Sequence, residues 1–159
     1  MKFINNSSDL AKFLSIKIIR QSKITNISTD TRGLKVGSLF FAIKGEQFNG
    51  NDYVEDALKK GASFVVTDSS RFKSTNDKNI IYVNNTIVAL RKIAKNILKK
   101  FNGDVIGVTG SNGKTTTTKI ISSVLNKSSG TIKNYNNEIG MPLSIINANT
   151  NSKYLVIEM

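Results

Sequence analysis

Short apolar runs alternate with amphipathic segments along this chain of 159 residues. Six apolar runs are too short for helices and rich in strand formers, and we expect strands at about 24–28, 39–43, 64–66, 80–83, 105–109 and 154–157. Four other segments repeat their apolar residues every three to four positions, which predicts helices at about 9–18, 52–60, 85–101 and 115–126. Strands that alternate with helices predict an α/β fold with mainly parallel sheets.

Polar residues and glycines predict where these elements end. Asp52 is expected to cap the second helix and Gly61 to end it, because these residue types are favoured at the two ends of a helix. The polar segment 68–79 is predicted to be a surface loop. We expect a small α/β domain over residues 1–83 and the first part of a second, mainly parallel-sheet domain over residues 84–159.

The most informative segment is 104–116, where a predicted buried strand leads into a glycine-rich loop that ends in Lys-Thr. Gly110 and Gly113 allow a tight turn whose amide groups can point at phosphate oxygens beside the N-terminus of the next helix. Lys114 supplies a positive charge for terminal phosphates, and the Thr115 hydroxyl can ligate Mg²⁺. The segment therefore predicts a P-loop that binds a nucleoside triphosphate with its metal.

This loop is shorter than the common phosphate-binding loop, because only Ser111 and Asn112 separate its two glycines. Gly-Ser-Asn-Gly is also an ordinary turn composition, so a purely structural turn is the alternative. The strand before the loop and the amphipathic helix after it favour phosphate binding, since strand, glycine loop and helix form the setting in which such loops work.

A carboxylate, Glu158, follows the last predicted strand. Ligands of open α/β sheets bind at the carboxyl ends of the strands, so we expect Glu158 to meet the loop that begins after Thr109. Beside Thr115 it would contribute to the oxygen ligands of Mg²⁺. A solvated glutamate at the end of a strand is the alternative.

The chain is strongly basic, with a net charge of +12. Its lysines are scattered and no basic run is interleaved with aromatic residues, so we expect a mostly solvated charge and no nucleic-acid partner. No apolar run reaches the roughly 20 residues that cross a bilayer, and the N-terminus has no apolar segment of signal-peptide length. We therefore expect a cytoplasmic protein without membrane insertion. Because His and Cys are both absent, carboxylates, Lys, Tyr, Ser and Thr must supply any acid–base or metal chemistry.

Residues 109–116 resemble the ATP loop of the Mur ligases, which has this shorter form. The resemblance extends to residues 28–32, 37–46 and 48–53, which are similar to the N-terminal uridine-nucleotide domain of that family. Residues 136–143 are most similar to the member that joins D-alanyl-D-alanine to UDP-N-acetylmuramoyl-tripeptide. The resemblance thus covers nearly the whole chain in order.

The resemblance implies an ATP-dependent ligase of peptidoglycan synthesis. Such enzymes activate the terminal carboxylate of the precursor as an acyl phosphate, which the amine of the incoming D-alanyl-D-alanine attacks. The first domain would hold the UDP end of the precursor, with contacts at Asp30, Thr31, Arg32, Asn49 and Asn51.

The second domain would bind ATP and Mg²⁺, with Lys114 and the loop amides stabilising charge on the transferred phosphoryl group. By the resemblance, ATP would lie against Thr109, Gly110, Ser111, Asn112, Gly113, Lys114, Thr115 and Thr116. Thr115 and Glu158 would hold the metal, and Asn137 or Glu138 would lie close to the metal and the acyl phosphate.

The chain departs from the family pattern in its N-terminal loop, which reads Asn49-Gly50-Asn51 where Asp-Gly-His is common. The metal-binding His and the modified Lys of the family, and the domain for the dipeptide, are expected beyond residue 159. We therefore expect the front part of a longer ligase, monomeric when complete and inactive as this piece alone.

Three other interpretations remain open from the sequence. A sister ligase that adds a single amino acid to the precursor would share most of these motifs. A nucleotide-binding remnant or regulatory module without catalysis would share the phosphate loop. A nucleic-acid-binding role has only the net charge in its favour.

Overall fold

The computed structural model describes residues 2–18, 20–45, 47–130 and 138–159. Its internal contacts divide the chain into two compact units. The first unit is Ile4–Lys92, and the second is Ile93–Met159 together with Lys2 and Phe3. The mixed α/β class expected from the sequence is confirmed in both units. The expected domains at 1–83 and 84–159 stay a prediction.

The first unit is built on a four-stranded parallel sheet in the order β1-β2-β3-β4. The strands are β1 (Ile27–Ser28), β2 (Leu39–Phe41), β3 (Phe64–Thr67) and β4 (Ile80–Tyr82). The helices that begin in this unit are α1 (Ser7–Leu14), α2 (Val54–Lys59) and α3 (Thr86–Lys100). Because all four strands run the same way, their carboxyl ends lie along one edge of the sheet.

The two central strands, β2 and β3, are buried along their whole length, as expected for parallel strands that are covered on both faces. Phe40 and Val65 belong to a core cluster that also contains Val54 and Ala57 of α2. Their neighbours along the strands point to the opposite face and are buried as well. Burial of these aromatic and branched side chains stabilises the unit, at about 25 cal/mol for each Å² of apolar surface removed from water.

Two sequence expectations for this unit are corrected. The segment 68–79 is not wholly a surface loop, because it contains a short 3-10 helix whose Phe72 packs into the core cluster. The helix that was expected to begin at Asp52 is preceded by a 3-10 turn, and the side chain of Asn49 caps that turn by accepting the Asn51 amide. Gly61 ends the helical segment with φ +86°, as its position predicted.

The second unit contains a three-stranded parallel sheet in the order β5-β7-β6. Its strands are β5 (Asp104–Val108), β6 (Ser128–Gly130) and β7 (Tyr154–Glu158). Two helices of this unit, α4 (Lys114–Val124) and α5 (Gly140–Ile146), both contact the central strand β7. No helix in the described residues has the length and apolar character required to cross a membrane.

The expectation that β5 is a buried strand is wrong. Most of β5 is exposed, and Val105 keeps 50% of its surface in solvent. The reason is its place in the sheet, because β5 pairs only with β7 among the described residues, whereas β7 has partners on both sides. An apolar strand sequence reports strand propensity and does not distinguish a central strand from an edge.

The close approach of Gly50 to the backbone of Ile43 generates a stability prediction. The Gly50 amide donates to the Ile43 carbonyl at 2.8 Å, and a Cβ at Gly50 would lie 2.6 Å from the Ile43 nitrogen. We expect Gly50→Ala to lower the free energy of unfolding by about 1–3 kcal/mol, as overpacking does. Gly33→Ala is the matched control, because a Cβ there meets nothing within 4 Å. Denaturant unfolding of both variants checks this, and equal stabilities would contradict it.

Candidate functional site

The pairing of β5 with β7 brings the predicted phosphate loop to a carboxylate. The register places Val108 opposite Glu158, and the Met159 amide donates to the Val108 carbonyl at 2.9 Å. The loop that starts at Thr109 therefore leaves the sheet directly beside Glu158. The expected meeting of the loop and this carboxylate at the carboxyl ends of parallel strands is present in the structure.

The loop turns through two glycines with positive φ angles. Gly110 has φ +152° and Gly113 has φ +77°, conformations that residues with a Cβ rarely adopt. Gly113 stands at the N-cap of α4, and its carbonyl accepts the Thr117 amide at 2.9 Å. The free amides of the first helical turn are therefore left for an anion, where the helix dipole also favours negative charge.

The Lys114 side chain folds back over this loop. Its Nζ donates to the Gly110 carbonyl at 2.8 Å. The ammonium group is thus held at the loop by one neutral acceptor, which a charged phosphate oxygen can replace with a stronger hydrogen bond.

Thr115 and Glu158 form the second polar pair of the loop. The Thr115 hydroxyl lies 3.0 Å and 3.2 Å from the two Glu158 oxygens, so it donates to the carboxylate. Glu158 is only 2% exposed. A hydroxyl and a carboxylate, both hard oxygen ligands, fit Mg²⁺. Within the described part of the chain no group of three or more His, Cys, Asp or Glu side chains is arranged to hold a metal ion.

A cavity of about 260 Å³ lies over the loop. It approaches the size of small-ligand pockets, which start near ~300 Å³, and is sufficient for the phosphate part of a nucleotide. Its lining contains six of the eight predicted nucleotide-binding residues together with the predicted metal ligand, namely Ser111, Asn112, Gly113, Lys114, Thr115, Thr116 and Glu158. Thr109 is exposed outside this lining, and Gly110 contributes the carbonyl that Lys114 contacts.

Two further residues of the second unit, Asn137 and Glu138, were predicted to lie near the metal and the acyl phosphate. Glu138 is exposed in the turn before α5. Asn137 lies outside the described residues.

In the first unit, Asp30 and Arg32 form a paired carboxylate and guanidinium after β1. Both Nε and Nη2 of Arg32 donate to Asp30, with Nε–Oδ1 at 3.0 Å and Nη2–Oδ2 at 2.6 Å. The side-chain hydrogen bond from Arg32, and then the backbone one, hold the pKa of Asp30 below its ordinary value. Arg32 is 89% exposed, so the pair presents an oriented cation to solvent.

Thr31 differs from its two neighbours, because it is 8% exposed while they face solvent. Its carbonyl accepts a hydrogen bond from Lys60 Nζ at 3.2 Å. Among the three residues predicted here, Arg32 is therefore the most accessible to an anionic ligand.

The predicted ligand residues Asn49 and Asn51 contact each other and the neighbouring strand. Asn49 Oδ1 accepts from both the backbone amide and the side-chain amide of Asn51, each at 3.2 Å. Asn51 Nδ2 also donates to Asp68 at 2.9 Å, and Asn51 Oδ1 accepts from Thr67 at 2.6 Å. The structure thus brings these two residues together inside a hydrogen-bond network.

Sequence reasoning missed Asp68, which it placed at the start of a surface loop. The carboxylate accepts hydrogen bonds from the Thr86 amide and hydroxyl, both at 3.0 Å. Burial opposes its ionisation, yet the bonds from Thr86 and Asn51 hold the pKa of Asp68 below the ordinary value. The available signal was its position, since Asp68 directly follows β3, at the edge of the sheet where the segments carrying Asp30 and Asn49 also begin.

Comparison with known proteins agrees with this arrangement of loops and strands. A family model described as "Mur ligase family, catalytic domain" matches residues 23–101, and one described as "Mur ligase middle domain" matches residues 108–159. The chain belongs to the Mur ligase family. The expected resemblance is confirmed on both halves of the chain.

Relatives of this Mur ligase chain that are up to 40% identical are named for the addition of D-alanyl-D-alanine, and others at 34% identity are named for the addition of 2,6-diaminopimelate. The UDP-N-acetylmuramoyl-tripeptide–D-alanyl-D-alanine ligase of Bacillus subtilis (strain 168) is 40% identical over 145 residues, which are 87% of this chain and 31% of that protein. The chain thus spans about a third of the length of this relative.

Solved structures of MurF ligases show the same fold. The MurF ligase of Thermotoga maritima, in complex with ADP, has a TM-score of 0.72 and 34% identity over 84% of this chain and 31% of that one. MurF from Acinetobacter baumannii has a TM-score of 0.83 and 25% identity over 99% of this chain and 36% of that one.

The hydrogen bonds of Asp68 generate a prediction about pH. A carboxylate whose pKa is lowered by folding stabilises the fold above its unfolded pKa of about 3.9, and this contribution is lost as the pH falls through the folded value. We therefore expect the stability difference between the natural chain and Asp68→Asn to be largest near pH 7 and to shrink below about pH 4. Unfolding curves across this range measure it, and a difference that grows as the pH falls would contradict it.

Proposed function

We propose that this chain is the front part of an ATP-dependent ligase that joins D-alanyl-D-alanine to UDP-N-acetylmuramoyl-tripeptide. The observation that carries the proposal is the loop at the end of β5, where Lys114 and the pair Thr115–Glu158 line one cavity. A P-loop with a buried carboxylate on the neighbouring strand is suited to hold a nucleotide and its metal. The named activity of the Bacillus subtilis relative supplies the substrates.

In the proposed reaction, a precursor carboxylate oxygen attacks the γ-phosphorus of ATP, which gives an acyl phosphate and ADP. The amine of the dipeptide then attacks the acyl carbon, and phosphate leaves as the amide bond forms. Lys114 would exchange the Gly110 carbonyl for a phosphate oxygen, as its hydrogen bond to that carbonyl allows. The amides that open α4 would stabilise the charge that develops on the transferred group.

The metal partner we propose is Mg²⁺, which would supply positive charge that offsets the negative charge of the phosphates. Thr115 would turn its oxygen from Glu158 toward the ion, and Glu158 would contribute its carboxylate directly or through water. Glu138 and Asn137 are proposed to lie near the reacting groups on the basis of the family resemblance.

We assign recognition of the UDP end to the first unit, at the carboxyl edge of its parallel sheet. Arg32 is accessible and its guanidinium is oriented by Asp30, which suits contact with a diphosphate. Thr31, Asn49 and Asn51 belong to the same proposed region because they lie in the loops after β1 and β2. We expect the proposed reaction to take place in the cytoplasm and the complete enzyme to be a monomer.

The role of Lys114 predicts a loss of nucleotide affinity in Lys114→Met. Removal of one charge-assisted hydrogen bond is expected to weaken binding of ADP with Mg²⁺ about tenfold to a hundredfold. Lys119→Met is the matched control, because Lys119 is an exposed lysine on the same helix outside the cavity lining. Calorimetry with ADP and Mg²⁺ measures both variants. Equal loss of ADP affinity in both variants would show that binding depends only on net charge and would contradict the assignment of the loop as the nucleotide site.

The proposal also predicts that residues 1–159 bind nucleotide without forming product. The chain spans 31% of its Bacillus subtilis relative, so we expect further parts of the catalytic machinery to lie outside it. The purified chain is incubated with ATP, Mg²⁺, UDP-N-acetylmuramoyl-tripeptide and D-alanyl-D-alanine, and mass spectrometry follows the pentapeptide product. Appearance of the product would refute the prediction that residues 1–159 alone do not catalyse the reaction.

A further inference from the structure

Both N–H donors of the Asn51 side chain are used within the protein. Its two amide protons go to Asn49 Oδ1 at 3.2 Å and to Asp68 Oδ1 at 2.9 Å, and its oxygen accepts the Thr67 hydroxyl at 2.6 Å. A primary amide has two N–H donors, so donation from Asn51 to a ligand would break one of these bonds.

Asp68 connects the Asn51 loop to two other segments. One oxygen of its carboxylate accepts from Asn51, and the other accepts the amide and the hydroxyl of Thr86 at the start of α3. Thr67 and Thr86 are both buried, so this part of the network is shielded from solvent. A carboxylate with charge-assisted bonds on both oxygens is a strong anchor, because such bonds are about twice as strong as neutral ones.

We propose that Asp68 and Asn51 are positioning residues, which fix the loop after β2 in its ligand-binding shape without contacting the ligand. Asn51 transmits this restraint to Asn49, whose Oδ1 accepts both amide groups of Asn51. Gly50, between them, is fixed on the Ile43 carbonyl at 2.8 Å. The inference rests on the proposed function for the identity of the ligand, a UDP-linked precursor, and for nothing else.

Asp68→Asn is a sharp test of the network. The amide introduced by Asp68→Asn has one oxygen that accepts and one NH₂ group that donates. In one orientation the NH₂ group faces Asn51 Nδ2, and in the other it faces the amide and hydroxyl of Thr86. Two donors therefore face each other in either orientation. The double variant Asn51→Asp with Asp68→Asn restores a donor opposite an acceptor between positions 51 and 68 and keeps the net charge of the natural sequence, but it loses the side-chain bond to Asn49 Oδ1. Asp77→Asn is the charge-matched control, since the Asp77 carboxylate accepts a local bond from the Asn79 amide at 2.8 Å in an exposed turn.

The first measurement is hydrogen exchange at the Gly45 and Gly50 amides, which donate to Phe48 and Ile43 within the loop. We expect exchange to speed up at least about tenfold in Asp68→Asn, to be partly restored in the double variant, which keeps the backbone bond to Asn49 but not the side-chain one, and to be unchanged in Asp77→Asn. Unchanged exchange in Asp68→Asn, or a double variant no better than the single one, would overturn the inference without touching the proposed function.

The second measurement is calorimetric binding of UDP-N-acetylmuramoyl-tripeptide and, separately, of ADP with Mg²⁺. Asp68→Asn is expected to weaken precursor binding about tenfold and to leave ADP binding unchanged, and the double variant is expected to recover part of the lost precursor affinity. Full precursor affinity in Asp68→Asn, despite a loosened loop, would overturn the positioning role. Absence of precursor binding by the natural chain would instead overturn the proposed function, while the exchange result would still decide whether Asp68 fixes the loop.

Discussion

Parallel strand pairing is the constraint on which both candidate sites depend. Parallel neighbours end at the same edge of a sheet, so the residues that follow them meet although they are far apart in sequence. In the second unit, the pairing of Val108 with Glu158 places a carboxylate beside a loop that begins some 50 residues earlier. In the first unit, the segments that follow β1, β2 and β3 carry Asp30, Asn49 and Asp68, and the side chain of Asn51 joins the last two.

The two sites then differ in how they handle charge. The phosphate loop offers an anion free helical amides and one lysine, and it holds its own carboxylate buried against a hydroxyl. The first unit pairs Asp30 with Arg32, whereas the ionised Asp68 is stabilised by hydrogen bonds from neutral donors. A basic chain with net charge +12 therefore gains specificity from a few oriented groups, and its scattered lysines add only long-range attraction.

The sequence predicted the features that depend on local pattern. The glycine-rich loop and its lysine could be predicted from residue type and spacing, because a P-loop requires those residues in that order. The carboxylate at the end of β7 could be predicted from its position directly after an apolar run. The exposure of β5 could not be predicted from the sequence, since strand order is a non-local property. The burial of Phe72 within a polar segment and the network around Asp68 were missed for the same reason, because each depends on which segment packs nearby.

The exposed position of β5 affects how the isolated polypeptide behaves in solution. In the described residues one side of this strand pairs with β7, and its other side has no strand partner. Backbone N–H and C=O groups on an open edge are a template for intermolecular pairing, particularly in a strand that has few charged residues. At high concentration this edge is the place where two molecules would begin to aggregate, and a charged residue at Val105 would be the simplest way to keep them apart.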